Sequence, residues 1–305
     1  MKNMIRQSAT LISVLAAGAV LAACGGNDQT EVATGDSGSP IKIGVVGASE
    51  DYWQIFSDLA AEEGIEIELV NFTDYTQPNP ALSQNQLDLN QFQHIQYLAA
   101  YNVANDEDLT PIGATAIYPL GLYSTEHTSI EDIPDGGEIA IPNDETNQAR
   151  ALLVLQDAGL LTLEGGGDST SLPSDVVEEE SKVTVTPVAA EQTAVALNSV
   201  DASIINNDFV EDAGLEPTDA LYQDDPDSPA AQPYINVWAA RAGHEDNETF
   251  QKLIDIYHED EVQEAALRAS GGTAVFTEKP ASELQEILDE VESNLEATDD
   301  DTTSP

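Results

Sequence analysis

The sequence predicts an α/β protein built as two lobes, and three observations carry that prediction. Strand signals alternate with helix signals along the body of the chain, from about Pro40 to Leu295, the pattern of open sheets with helices on both faces. Hydrophobic residues make up 41% of the chain and fall in periodic blocks, so a core can form despite a formal net charge of −48. Two strand blocks, Ile112–Tyr123 and Tyr234–Ala240, bracket residues 124–233, which can fold as an inserted second lobe. A chain so arranged crosses between its lobes twice and leaves a cleft between them.

Each element follows from its local pattern. Ile41–Val46 is a short apolar strand that stops at Gly47. Asp51–Glu63 places Trp53, Phe56 and Leu59/Ala60 at helical spacing. In 65–70, Ile65, Ile67 and Leu69 alternate with Glu66 and Glu68, the mark of a half-buried strand. A turn at Pro78 and Pro80, a short apolar segment at Leu87–Leu89 and a helix at Ile95–Val103 follow. Strand blocks come next at Ile112–Tyr118, Leu120–Tyr123 and Glu138–Ile141, then a helix over Thr146–Leu160 with Ala149, Leu152, Leu153 and Leu155 on its apolar side. Val183–Val188, Ala202–Ile205 and Tyr234–Ala240 are further strands. Helices at Phe250–Tyr257, Val262–Ala269 and Ser282–Leu295 close the body, the last with Leu284, Ile287, Leu288, Val291 and Leu295 on one stripe.

The ends read differently. Residues 1–23 have Lys2 and Arg6 ahead of an apolar run from Leu11 to Ala23, a stretch short for a membrane span and suited to a signal peptide. The run ends in Leu-Ala-Ala-Cys24-Gly-Gly, which resembles a bacterial lipobox, with lipidation expected on Cys24. Residues 24–40 then hold the lipidated cysteine and a flexible tether, and 296–305 an acidic, solvated tail. Within the body, 41–117 with 237–295 are expected to form one lobe and 118–236 the other. Loss of residues 1–23 removes two basic residues and no acidic one, moving the net charge from −48 to −50. Such acidity excludes nucleic acid and polybasic attachment to anionic lipid. A single cysteine excludes an internal disulfide and a Cys-rich metal site.

No catalytic or metal signature is present: there is no G-x-S-x-G, H-E-x-x-H or Walker-type loop, and His94, His127, His244 and His258 are not paired at ligand spacing. Four stretches stand out for uncharged polar groups, aromatics or a cation. The first spans Asp74–Asn79 and Asp88–Leu98, with Tyr75, Gln77, Asn90, Gln91, Phe92, Gln93, His94, Gln96 and Tyr97. It reads either as a hydrogen-bonded structural turn or as a cleft wall of aromatic faces and neutral hydrogen-bonding groups. The second is Ile141–Arg150, where a strand ends and a helix begins near Asn147. A helix N-terminus beside a guanidinium suits a carboxylate, although Arg150 could equally bond Asp144 or Glu145 nearby. The third, Ser203–Phe209, ends a strand with Asn206 and Asn207, and the fourth is Pro233–Asn236.

The segments KIGVVGASEDYW, DYTQPNPAL, DLNQFQHIQYL, PLGLYS, EIAIPNDETNQARALLVLQ and PYIN occur in that order. Together they resemble the NlpA family of methionine-binding lipoproteins, substrate-binding subunits of bacterial ABC importers, from the lipobox to about Gly272. The resemblance implies the type II periplasmic-binding-protein fold, two α/β lobes joined by two crossover strands with a ligand cleft between. It implies that Tyr75, Phe92 and Tyr97 enclose a ligand side chain and that His94 bonds its polar end. Arg150 would clamp the α-carboxylate, and Asn206 and Asn236 would bond the carboxylate or ammonium, with Asn147 and Gln77 as weaker contributors. Three departures stand out: Gln91 where many members have an aromatic, Gln96 for a frequent proline, and Asp208-Phe209 for a small polar residue and Tyr.

The implied function is capture of L-methionine or a close analogue by a lipid-anchored protein on the outer face of the cell membrane, with delivery to an ABC permease and its ATPase. No enzyme activity, cofactor or metal is expected. Another small zwitterion, such as a methionine-containing dipeptide or an apolar amino acid, is the nearest alternative. An extracytoplasmic enzyme with His94 as general base and a surface adhesion lipoprotein are rivals from other classes. The acidity further suggests a saline habitat, because molar salt screens such a surface.

Overall fold

The computed structural model describes residues 39–302. The expected signal peptide, Cys24 and the expected tether up to residue 38 lie outside the described residues.

In chain order the strands and helices are β1 (Ile41–Val46), α1 (Asp51–Glu62), β2 (Ile67–Phe72), α2 (Pro78–Ser83), β3 (Leu89–His94), α3 (Ile95–Asn105), β4 (Thr110–Ala114), β5 (Ala116–Ile117) and β6 (Gly121–Tyr123). They continue with β7 (Gly137–Pro142), α4 (Glu145–Asp157), β8 (Val183–Val188), α5 (Thr193–Ala196), β9 (Ala202–Ile205) and β10 (Tyr222–Gln223). The chain finishes with β11 (Asn236–Ala240), α6 (Glu248–Tyr257), α7 (Asp260–Ala269), β12 (Val275–Phe276) and α8 (Ala281–Thr302).

The strands form two five-stranded sheets, ordered β2-β1-β3-β11-β4 and β10-β6-β9-β7-β8, plus the small pair β12-β5. In the first sheet β1 runs parallel to β2 and β3, while β11 is antiparallel to β3 and β4. In the second, β7 runs parallel to β8 and β9, while β6 is antiparallel to β9 and β10. The chain passes from the first sheet to the second at residues 118–120 and returns at 224–235. Parallel strands covered on both faces need continuous apolar runs, and β1 is buried at every position except Lys42.

Each sheet carries its own core. Leu98, Ala114, Ile117, Val237, Ala239, Leu284 and Leu288 pack together in the first; Leu122, Ile139, Ile141, Leu152, Leu155, Val183 and Ile204 do so in the second. Trp53 and Phe56, one turn apart on α1, join Trp238 and Tyr257 in an aromatic group with ring centroids 5.6–6.3 Å apart. That group fixes α1 and α6 against β11.

Four sequence expectations change. The turn at Pro78 is a short helix, with the proline at its first position where its missing N–H costs nothing. The amide-rich LNQFQH, expected as a structural turn or a cleft wall, is a strand with all six residues buried. Tyr234 belongs to a 3₁₀ segment, Pro229–Tyr234, and Asn236 is the first residue of β11, so it sits in the first sheet rather than at the end of the second lobe. The expected tail from residue 296 is helical as far as Thr302, the end of α8; Glu296 and Ala297 are good helix formers and prolong it. Among the described residues no helix is long and apolar enough to cross a membrane.

Candidate ligand-binding site

A cavity of about 290 Å³ lies between the sheets. Its lining comes from segments that follow the C-terminal ends of parallel strands: Gly47 after β1, Thr73 after β2, His94 at the end of β3, Asn147 after β7 and Asn206 after β9. Open α/β sheets place their ligand sites at those ends.

One end of the cavity holds Arg150. It is 4% exposed and sits on the second turn of α4. Its Nε donates to Asp224 Oδ2 at 2.7 Å and its Nη2 to the carbonyl of Tyr118 at 2.9 Å, and its guanidinium carbon lies 4.2 Å from the centroid of the Tyr234 ring. Nη1 takes part in neither bond. Asp144 and Glu145 are therefore not its partners. Asp144 instead caps α4, where its Oδ1 accepts from the Asn147 main-chain N–H at 3.0 Å and from Asn147 Nδ2 at 2.9 Å. The helix N-terminus is thus occupied by its own cap, which leaves the guanidinium as the permanent cation at this end of the cavity. Burial pushes the Asp144 carboxyl up, against the hydrogen bonds from Asn147 and Thr146, and its Oδ2 is buried without a partner.

The middle of the cavity is a chain of amides and an imidazole. His94 Nδ1 accepts from the Tyr97 main-chain N–H at 3.1 Å. The neutral ring therefore carries its proton on Nε2, which lies 3.4 Å from Asn147 Oδ1. Burial, with the nearby Arg150 charge, pushes His94 down to about 3, so the ring is neutral at ordinary pH. Asn206 Nδ2 donates to the same Asn147 oxygen at 2.8 Å, while Asn206 Oδ1 is buried with no partner. Asn236 lines the cavity with its amide 3.5 Å from the Tyr234 carbonyl.

The other end is aromatic. Tyr75 lies against Phe92, Tyr97 and Phe209 with centroids 5.9, 6.2 and 5.1 Å away. Tyr97 donates its hydroxyl to the Tyr75 carbonyl at 3.0 Å, and the Tyr75 hydroxyl crosses the cleft to Asp208 Oδ2 at 2.8 Å. Crowding by protein atoms pushes the Asp208 carboxyl up to about 6, opposed by the Tyr75 hydrogen bond, although the residue as a whole still presents surface to solvent at the cleft.

Residues 41–277 match the family model described as NlpA lipoprotein. The chain belongs to the NlpA lipoprotein family. Among its relatives is the D-methionine-binding lipoprotein MetQ of Escherichia coli, 35% identical over 240 residues, which cover 77% of this chain and 87% of that protein. Its Salmonella typhi counterpart is 34% identical over 87% of this chain and 95% of its own length. Among solved structures, the substrate-binding protein of a methionine transporter from Streptococcus pneumoniae superimposes with a TM-score of 0.73 at 35% identity, covering 78% of this chain and 95% of its own. A nutrient-binding protein from Burkholderia cenocepacia, solved bound to methionine, gives 0.71 at 35% identity, covering 78% and 99%. The two-lobe fold of periplasmic binding proteins is thus the fold of this NlpA-family chain.

Of the site residues expected from the sequence, Tyr75, Phe92, His94, Tyr97, Asn147, Arg150, Asn206 and Asn236 all line this cavity. Gln77 does not: it is exposed and donates to Asp74 Oδ2. Asn90 lies outside the cavity lining and serves the scaffold, while Gln93 lines the cavity but spends its amide on the same scaffold network. Asn90 Nδ2 donates to Asn79 Oδ1 at 2.9 Å, and Gln93 and Asn79 exchange two bonds of 2.7 Å. Sequence reasoning missed Asp224, which sits among the acids of DDPDS and gives no local signal. It also missed Phe209 as a fourth ring, which the NlpA pattern could have suggested because an aromatic is usual there. Two other cations are spent on main-chain carbonyls: Lys182 on residues 130 and 131, and Arg241 on Leu82 and Leu87.

Proposed function

We propose that the protein is a lipid-anchored, extracytoplasmic solute-binding protein that captures L-methionine or a close analogue and delivers it to an ABC permease and its ATPase. The carrying observation is the order of chemistry along one interlobe cavity. A guanidinium stands at one end, a buried acceptor without a partner, Asn206 Oδ1, lies in the middle, and an aromatic box closes the other. An α-amino acid matches this order: its carboxylate suits the guanidinium, its ammonium suits Asn206 Oδ1, and an apolar side chain suits the rings. A thioether packs well against ring edges. At about 290 Å³ the space is at the small end for ligand pockets and favours one amino acid over a longer peptide. The names of the relatives, a D-methionine-binding lipoprotein and the substrate-binding protein of a methionine transporter, support methionine as the ligand class. Anchoring through lipid on Cys24 follows from the lipobox.

His94 also supports binding over catalysis. A general base works best with a pKa near the operating pH, and burial holds this ring down at about 3. Both ring nitrogens, moreover, face protein partners. Calorimetric titration with L-methionine, D-methionine and Gly-Met tests the reading. Heat with at least one of them is expected, and no heat or thermal shift with any would overturn it.

A further inference from the structure

We propose that the aromatic end of the cavity prefers an α-amino acid whose side chain carries a permanent alkylated cation, an S-methyl sulfonium, over the neutral thioether, with Asp208 as the specificity-determining residue. The inference rests on the reading of the cavity as an amino-acid site and concerns only its side-chain end.

Three observations carry it. Tyr75, Phe92, Tyr97 and Phe209 form one group, with neighbouring centroids between 5.1 and 6.2 Å. Aromatic faces are negative and attract cations, most strongly alkylated ones that shed water easily. Asp208 lines the same cavity beside Phe209, and its carboxylate accepts the Tyr75 hydroxyl hydrogen at 2.8 Å. A phenol that donates to a carboxylate has a more electron-rich ring, so the contact reinforces the box and adds a full negative charge at its edge. The charge balance agrees. Arg150 is the only permanent cation among the described lining residues, and Asp224 already pairs with it at 2.7 Å. The lining also holds the carboxylates of Glu50, Asp208, Glu211 and Asp212. A zwitterion leaves that excess negative charge as it is, whereas a sulfonium brings one positive charge to it. A lysine ammonium gains less from the rings, because it is a compact, strongly hydrated charge that gives up its water reluctantly.

The test is calorimetry on the full-length protein with S-methyl-L-methionine and L-methionine, in one buffer, with wild type, Asp208→Asn and Glu211→Gln. Wild type is expected to bind the sulfonium at least about fivefold more tightly, and Asp208→Asn to lower the ratio of the two affinities by about fivefold, the scale of one cation–π or partly screened charge contact. Asparagine keeps an acceptor for Tyr75, so loss of folding does not confuse the result. If L-methionine binds and the sulfonium does not, this inference falls and the amino-acid reading stands. Equal losses for both ligands in Asp208→Asn would make the carboxylate a latch between lobes and also overturn it. An equal drop in the ratio for Glu211→Gln would assign the effect to general charge, again against Asp208. If neither compound binds, the amino-acid reading itself fails.

Discussion

Two clusters of buried amides among the described residues serve opposite ends. Beneath α2, the side chains of Asn79, Asn90 and Gln93 bond one another, and each is at most 3% exposed. Every amide there has a partner of its own kind. In the cleft, Asn147 serves His94, Asn206 and Asp144 at once, while Asn206 Oδ1 and Asp144 Oδ2 are left over. A satisfied buried network stiffens a scaffold; a leftover acceptor that lines a cavity, as Asn206 Oδ1 does, calls for an outside donor. Polar burial alone does not mark a binding site, and neither does a lone unpaired atom in the core; an unpaired acceptor in the cavity points to one.

The sharpest way to break this contrast is Arg150→Ala. It removes the proposed carboxylate receptor and leaves Asp224, 24% exposed at its side chain, without its cation. Affinity for L-methionine should fall by at least about a hundredfold, read by calorimetry. Asn79→Ala attacks the other region. It strips partners from Asn90 and Gln93 and should cost about 2–3 kcal/mol of folding stability in a denaturant titration. A loss of affinity comparable to that of Arg150→Ala would erase the distinction between scaffold and receptor. Asn206→Ala is intermediate: about tenfold weaker binding is expected, with stability lowered by about 1 kcal/mol, because Oδ1 has no partner to lose and only the Nδ2 bond to Asn147 goes.

The smallest effect concerns protons. The folded protein keeps His94 neutral down to about pH 3, whereas the ordinary value is 6.5. Unfolded chains therefore take up the proton first, so the stability that depends on the neutral ring is complete above 6.5 and drains away as pH falls from 6.5 towards 3. Thermal melts at pH 7 and pH 5 should show a larger loss for wild type than for His94→Gln. Parallel losses would mean that the ring can charge in place, and that the cleft is wetter than its burial implies.

Much of the fold could be read from periodicity. The strand Ile41–Val46, the Trp53/Phe56/Ala60 face of α1 and the Leu152/Leu155 face of α4 show it directly, because hydrophobic burial alone positions them. The strand β3 could not be read that way. Its LNQFQH buries polar groups that only partners distant in sequence can satisfy, such as Asn79. The site was legible where a side chain is unusual for an acidic chain, as with His94 and Arg150. It was illegible where the deciding residue is one more acid: Asp224 gains its role only when the second crossing brings it to Arg150. Gln77 failed for the opposite reason, since a bond to Asp74 three residues away claims its amide before the cleft can.

Arg150 has one more consequence. Its three protein partners, the Tyr118 carbonyl, Asp224 and the Tyr234 ring, all lie on the two segments that join the sheets. Any swing of one lobe against the other bends those segments, so the guanidinium rides near the axis, where a rotation displaces atoms least. Tyr75 follows β2, the edge strand on the far side of the first sheet from β11 and β4, and it travels on a longer arm. On the proposed reading, the head-group seat would stay assembled as the lobes move, and a captured molecule would be held first by its carboxylate and wrapped afterwards. Lever length would then set the order of events.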